Sequence, residues 1–151
     1  MTTVPHGMRL NNPFNIIFSQ HITWQGQTGN DGHFCEFDTS LNGLRAGVIN
    51  TCNHVIKDGM KPDLDHLIGD DEHGQAPPVE NDTASYIGYM CGIMGVEADA
   101  DIDIHDKETM EYYARGVVDV EQGHEWSETI TDDEIAEAVE QAFEHLYGAA
   151  S

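Results

Sequence analysis

Positively charged residues are scarce in this chain of 151 residues. It contains six Lys and Arg residues against 28 Asp and Glu residues, so its formal net charge at pH 7 is −22. A surface that binds nucleic acid needs a stripe of basic side chains to neutralise the phosphates. We therefore expect no nucleic-acid partner.

Cysteine and long apolar runs are also in short supply. The three cysteines, Cys35, Cys52 and Cys91, form no CxxC pair, which argues against a disulfide framework and against a cysteine-based zinc site. The nine histidines include no HExxH pair, so we expect no metal and no cofactor. Without a run of about 18 apolar residues or the pattern of a signal peptide, we also expect no membrane insertion.

The acidic residues, in contrast, are spread along the whole chain. They occur in the segments "GDDEHG", "EADADIDIHD" and "TDDEIAEAVE" rather than in one tail. Such a surface repels itself at ordinary ionic strength. In about 1 M salt the screening length falls to roughly 3 Å, which removes most of this repulsion. The composition therefore indicates adaptation to a salt-rich, halophilic setting.

Hydrophobic periodicity predicts a mainly α protein with a small β and loop region, an α+β fold. The segments "FNIIF" and "HFCEF" are strand candidates around a turn at "GQTGNDG". Helical spacing of apolar residues follows from residue 39 or 40 onward. The first predicted helix runs from residue 39 or 40 to Asp58, and the second from Pro62 through Ile68. The third contains Tyr86 and ends at Gly95. The fourth runs from about Asp106 to Glu121, and the last from Thr131 to Gly148.

The segment "APPVENDTASYI" combines a stiff backbone with several polar side chains. Pro77 and Pro78 fix their φ angles and donate no backbone N–H, so this stretch is predicted to be extended. Asn81 or Asp82 is predicted to cap the helix that follows. This leaves Glu80 just outside the cap, where we predict that it lies at the rim of a cleft.

The last predicted helix has the clearest signals for its ends. Thr131 and Glu134 have the spacing of a capping box, and Gly148 ends the helix. Its narrow apolar stripe could pack on its own domain or on a partner protein. Because a core helix usually presents a wider stripe, we predict an assembly element. The stripe consists of Ile135, Val139, Phe143 and Leu146.

Four segments together resemble a known class of proteins. The segments "MRLNNPFNI", "WQGQTG", "HFCEFDTSLNGLRAG" and "APPVENDTASYI" resemble, in order and spacing, small phage virion and lytic proteins with a lysozyme-like or lytic transglycosylase-like fold. The resemblance covers about Arg9 to Gly123, although Phe14 stands where that family usually has glycine. It implies a lysozyme-like domain in residues 1–125 and a C-terminal helical extension in residues 126–151.

The resemblance also implies a chemistry and a set of site residues. Lysozyme-like enzymes use a carboxylic acid to protonate the leaving oxygen of a glycosidic bond, and that glutamate lies near a helix end. Glu121 has this setting, Glu80 is the second candidate, and Glu36, with Asp38 as a partner, is the third. Each glutamate also has a purely structural interpretation. Glu121 would simply lie near a helix end, Glu80 would lock a turn, and Glu36 would lie on the solvent face of a strand. The predicted substrate-binding residues are Trp24, Asn81, Asp82, Thr83 and Tyr86.

These expectations lead to one functional hypothesis with two alternatives. The protein would be part of the virion of a halophilic virus, a tail-tip, baseplate or spike component that acts as a glycoside hydrolase or lytic transglycosylase on cell-envelope glycans. The alternatives are a purely structural virion protein with a vestigial site, and a free endolysin-type murein hydrolase. The expected partners are other virion proteins and the envelope glycan. We expect multiple copies of this protein in the assembly. The protein would be made in the host cytoplasm and located in the virion.

Overall fold

The computed structural model describes residues 3–78 and 82–148, which form mainly helices and one small antiparallel hairpin. The helices are α1 His6–Arg9, α2 Ser40–Ile56, α3 Leu64–Gly69, α4 Thr83–Met94, α5 Lys107–Gln122, α6 His124–Ser127 and α7 Asp132–Tyr147, and the strands are β1 Gln27–Asn30 and β2 Cys35–Phe37. The predicted mainly α fold with a small β region is confirmed. Within the described ranges, no helix combines the length and the apolar character that crossing a membrane requires.

Side-chain caps fix where the long helices begin. Thr39 accepts a hydrogen bond from the backbone N–H of Asn42 at the start of α2, and Asp106 accepts one from Thr109 at the start of α5. Each cap satisfies a backbone donor that has no partner inside the helix. Gly95 ends α4 in a left-handed conformation with φ at 68°. The boundaries of these helices therefore follow the sequence signals to within a few residues.

The hairpin differs from the sequence prediction. β1 lies inside the segment predicted to be a turn, and "FNIIF" contributes an isolated bridge between Ile17 and Phe34. The reason lies in the side chain of Asn12. Its amide accepts from the backbone N–H of Ile16 at 2.8 Å and donates to the carbonyl of Cys35 at 2.9 Å. The Asn12 side chain thus takes a backbone N–H and a carbonyl that further strand pairing would use. The backbone bonds between the two segments run from the Cys35 N–H to the Ile16 carbonyl and from the Phe18 N–H to the His33 carbonyl.

α2 lies at the centre of the core, between α7, α5 and the hairpin. Two glycines on α2 let the preceding loop lie directly on the helix. A Cβ at Gly43 would come within 2.1 Å of the Asn11 carbonyl oxygen, and one at Gly47 within 2.4 Å of the Phe14 ring. Phe14 is therefore buried at 1% exposure against α2.

The C-terminal helix belongs to the same core, so the prediction that its stripe binds a partner is wrong. Ile135, Val139 and Phe143 are at most 3% exposed, and α7 packs on α2 and α5. The Thr131 half of the predicted capping box is present, because the Thr131 hydroxyl accepts from the backbone N–H of Glu134 at 3.1 Å. The Glu134 carboxylate accepts from the Ser40 hydroxyl at the start of α2. The hydrophobic core therefore continues across the predicted boundary between residues 125 and 126.

Candidate functional site

Glu121 lies in the last turn of α5 and is the centre of a hydrogen-bonded group. The Asn15 side-chain amide donates to Oε1 at 2.8 Å. The Tyr86 hydroxyl and the Gln75 side-chain amide donate to Oε2 at 2.9 and 3.1 Å. These four residues, Asn15, Gln75, Tyr86 and Glu121, are called the Glu121 cluster below. They bring together the loop before the hairpin, the loop after α3, α4 and α5.

The side chain of Asn15 is held in one orientation by its neighbours. Asn15 has φ at 54°, a left-handed conformation that asparagine tolerates better than most residues. Its Oδ1 accepts from the buried Gln122 amide at 3.1 Å, which directs its amide nitrogen toward Glu121. A Cβ at Gly7 would come within 2.2 Å of that Oδ1. The glycine therefore leaves the space that this arrangement needs.

The other two donors are fixed in the same manner. The Gln75 side-chain amide also donates to the Phe14 carbonyl at 2.7 Å. Tyr86 is 6% exposed, and its burial, together with the charge of Glu121, raises its pKa well above the ordinary value. The phenol therefore keeps its proton at neutral pH and acts as a donor.

A cavity of about 430 Å³ opens on one side of the cluster. Its wall contains the Glu121 carboxylate, and in the same wall the Tyr89 hydroxyl donates to Asp119 Oδ2 at 2.6 Å. Burial, this hydrogen bond and the Asp119 charge raise the pKa of Tyr89 to about 12. The His124 ring packs edge-on against Tyr89 with its centroid 5.7 Å away. Two carboxylates of α5 therefore line one cavity.

A second cavity, of about 420 Å³, lies on the other side. Asn15 and Gln75 line it together with Trp24, which packs against the core and is half-buried. Trp24 thus shares a cavity with two donors of the Glu121 cluster rather than with Glu121 itself. The cluster has one face in each cavity.

The remaining predicted site residues have different roles or lie elsewhere. Glu36 is exposed on β2 between the buried side chains of Cys35 and Phe37, which is its structural alternative, the solvent face of a strand. Asp82 caps α4 by accepting from Ser85, and it also lines the cavity of Glu121. The Thr83 hydroxyl donates to the Ala76 carbonyl at 2.7 Å. Glu80 and Asn81 lie outside the described residues, so their roles stay predictions.

Sequence reasoning missed three residues of this site. Asn15 and Gln75 lie 106 and 46 positions from Glu121, and no periodic pattern connects positions so far apart. Asp119 is two positions before Glu121 on the same helix, where neighbouring side chains usually point in different directions. The pairing becomes visible only once the cavity between α4 and α5 is known.

The hydrogen-bond pattern shows what the Glu121 carboxylate can do. Oε1 accepts one hydrogen bond and Oε2 accepts two, so the carboxylate is the acceptor in all three. This is the pattern of an ionised carboxylate. Such a group in a cavity stabilises positive charge nearby or accepts a proton. The neighbouring Asp119 accepts the Tyr89 bond on Oδ2, and its other oxygen, Oδ1, lies 4.0 Å from His124 Nδ1.

Comparison with known proteins places the chain among phage proteins. No family model matches it. It is 30% identical over 141 residues to protein P5 of Pseudoalteromonas phage PM2, and the alignment covers 91% of this chain and 81% of the phage protein. Since this likeness extends over most of both proteins, the chain belongs to the family of phage protein P5.

Proposed function

We propose that this protein is a component of a phage virion that binds and cleaves a cell-envelope glycan at the Glu121 cluster. The observation that carries the proposal is the Glu121 carboxylate, which lies at a helix end in the wall of one cavity and accepts three hydrogen bonds. The relationship to a phage protein supports the viral setting. The resemblance of four segments to lysozyme-like proteins supports the glycan substrate.

The proposed mechanism uses both carboxylates of α5. Glycoside hydrolysis ordinarily needs one protonated and one ionised carboxyl group on either side of a sugar that develops positive charge. Glu121, with three donors, suits the ionised role, in which it stabilises that charge. Asp119 would donate the proton to the leaving oxygen from Oδ1, which lies 4.0 Å from His124 Nδ1. Water would then add to the sugar carbon, and the proton that this water releases would return to Asp119. In this assignment Glu121 is the ionised group, whereas the sequence led us to expect that it donates the proton.

A purely structural role is the second candidate, and the same hydrogen bonds favour it. The three donors come from separate segments, so Glu121 ties two loops and α4 to the end of α5. A carboxylate whose bonds are this well satisfied also serves as a structural clamp. In that case its removal would lower stability without removing any enzymatic activity.

Zymography in high salt separates these two roles. We expect the wild-type protein to clear at least one of several cell-envelope preparations, and Glu121→Gln and Asp119→Asn to lose clearing while keeping a wild-type circular dichroism spectrum. Glu36→Gln, on the exposed strand face, is the matched control and should clear normally. If no preparation is cleared, or if Glu121→Gln clears as well as wild type, glycan cleavage is wrong.

Fractionation of infected cultures tests the virion location. We expect the protein to remain with purified particles through a density gradient, as detected by mass spectrometry. Protein detected only in the particle-free lysate would instead indicate a free endolysin. The two experiments are independent, because location is measured without reference to activity.

A further inference from the structure

Two histidines and an aspartate converge at the end of α2. One possible ligand atom each from His54, Asp58 and His73 lies within 4.8 Å of the others. His54 Nδ1 is 2.9 Å from Asp58 Oδ2, and the rings of His54 and His73 stack with centroids 4.9 Å apart. Because 19 positions separate the two histidines, the sequence gives no sign of this group.

The backbone holds the three residues at this spot. His54 lies in the last turn of α2, and Asp58 follows in a turn that Gly59 completes with φ at 71°. The backbone N–H of His73 donates to Asp70 Oδ2 at 2.9 Å, which fixes its loop. The chain therefore presents the three side chains from anchored positions.

The side chains themselves have room to adjust. Those of Asp58 and His73 are each 45% exposed, and that of His54 is 19% exposed. Around a tetrahedral ion with bonds of about 2.1 Å, neighbouring ligand atoms lie roughly 3.4 Å apart. Closing the group from 4.8 Å or less therefore requires movements of about 1 Å, which half-exposed side chains make by small rotations.

The kind of ligand decides which cation would fit. Calcium and magnesium prefer shells made of oxygen atoms, whereas two imidazoles and one carboxylate suit zinc and related divalent metals. Three protein ligands also leave a coordination position open, as in catalytic zinc sites. His54 and His73 line the 420 Å³ cavity, so we expect the open position to face that cavity.

We propose that His54, Asp58 and His73 form a binding site for a divalent transition metal of the zinc class. The ion would tie the loop after α3 to the end of α2. Gln75, a donor of the Glu121 cluster, lies two residues beyond His73 in that loop. Metal binding would thus hold this donor in place. The site is independent of the proposed glycan cleavage, since it is defined by binding alone.

Calorimetric titration of ZnCl2 into the metal-stripped full-length protein tests the site. The titration buffer contains excess MgCl2 and NaCl, so that their cations rather than zinc occupy the many acidic groups of the surface. We expect one-to-one binding that His54→Ala and His73→Ala each weaken at least tenfold and that Asp58→Asn weakens less. The matched control is His105→Ala, because His105 Nδ1 also lies beside an aspartate, 3.5 Å from Asp103 Oδ1. It should bind like wild type.

Cobalt provides a second readout. Co²⁺ in place of zinc should give the visible absorption of a four- or five-coordinate ion in wild type and in His105→Ala, and this absorption should disappear in His73→Ala. Absence of one-to-one binding, or equal binding by all the variants, would overturn the proposal. So would cobalt spectra that show only the hydrated ion.

Discussion

Asn15 links the unusual backbone of the loop before the hairpin to the chemistry of the site. Its left-handed conformation, with φ at 54°, places an amide that bonds both Glu121 and Gln122. A residue of this kind leaves little trace in a sequence, because asparagine is common in ordinary loops. The position of Glu121 at a helix end was predictable, since the helix pattern and Gly123 both indicate that end. Its partners were not, because their bonds depend on the tertiary fold.

Substitutions at Asn15 separate its backbone role from its side-chain role. Asn15→Gly and Asn15→Ala both remove the two amide bonds, but only alanine is strained in the left-handed conformation. We expect Asn15→Ala to unfold with a free energy about 1 kcal/mol lower than Asn15→Gly, as measured by denaturant unfolding. Equal stability of the two variants would show that the local backbone relaxes without cost.

Alanine substitutions at helical glycines should have opposite effects depending on the space around them. Alanine is favoured over glycine in a helix by about 1 kcal/mol. At Gly47, however, the new Cβ would meet the Phe14 ring at 2.4 Å, and overpacking costs about 1–3 kcal/mol. We expect Gly47→Ala to lower the free energy of unfolding. Gly88→Ala, whose Cβ would meet nothing within 4 Å, should raise it.

At the scale of the elements, α7 shows where sequence reasoning works and where it stops. Its ends are encoded locally, so Thr131 and Gly148 predicted them correctly. Its partner surface is not encoded locally, because a narrow stripe packs equally well on another protein or on α2. Small residues decide the matter here. Ala138 and Ala142 are buried beside the large side chains, which makes the buried face wider than the stripe suggested.

Truncation tests whether α7 belongs to the folding unit. We expect deletion of residues 129–151 to leave a chain that fails to unfold cooperatively, because the apolar face of α2 loses its cover. Phe143→Ala in the full-length chain should lower the free energy of unfolding by about 3–5 kcal/mol. The matched control, Glu144→Ala, changes the exposed face of the same helix and should have little effect. A truncated chain with a sharp thermal transition would contradict this expectation, because the remaining helices would then fold without α7.

The hairpin should contribute an acid-dependent part of the stability. Asp31 accepts hydrogen bonds from the backbone N–H of Phe34, from the His6 side chain and from the backbone N–H of His33. These bonds lower its pKa from 3.8 to about 2. Because the folded state favours the ionised form, this contribution is complete above pH 3.8 and disappears as the pH falls to about 2. In thermal melts in molar NaCl, wild type should have a higher midpoint than Asp31→Asn at pH 5. This difference should disappear near pH 2. Asp71→Asn, on an exposed turn, is the control.

For the whole molecule, net charge is the property that the sequence states most directly. A charge of −22 raises the energy of any compact arrangement of the chain. Most of the acidic groups are exposed, so their mutual repulsion depends on the ions in the surrounding solvent. The composition thus concerns stability in solution and leaves the arrangement of the helices undetermined.

We therefore expect the thermal midpoint to rise steeply between low and molar NaCl. The screening length falls from about 10 Å at 0.1 M to roughly 3 Å at 1 M, so repulsion between neighbouring carboxylates largely disappears. A variant with three exposed acids replaced, Asp71→Lys, Glu128→Lys and Glu144→Lys, gains two charges at each position and has a net charge of −22 + 6 = −16. It should melt above wild type at low salt and converge with it at molar salt. Sucrose, which stabilises compact states without screening charge, should raise both midpoints equally. A wild-type midpoint that does not change with salt would contradict the halophilic interpretation, because the charge would then be tolerated without screening.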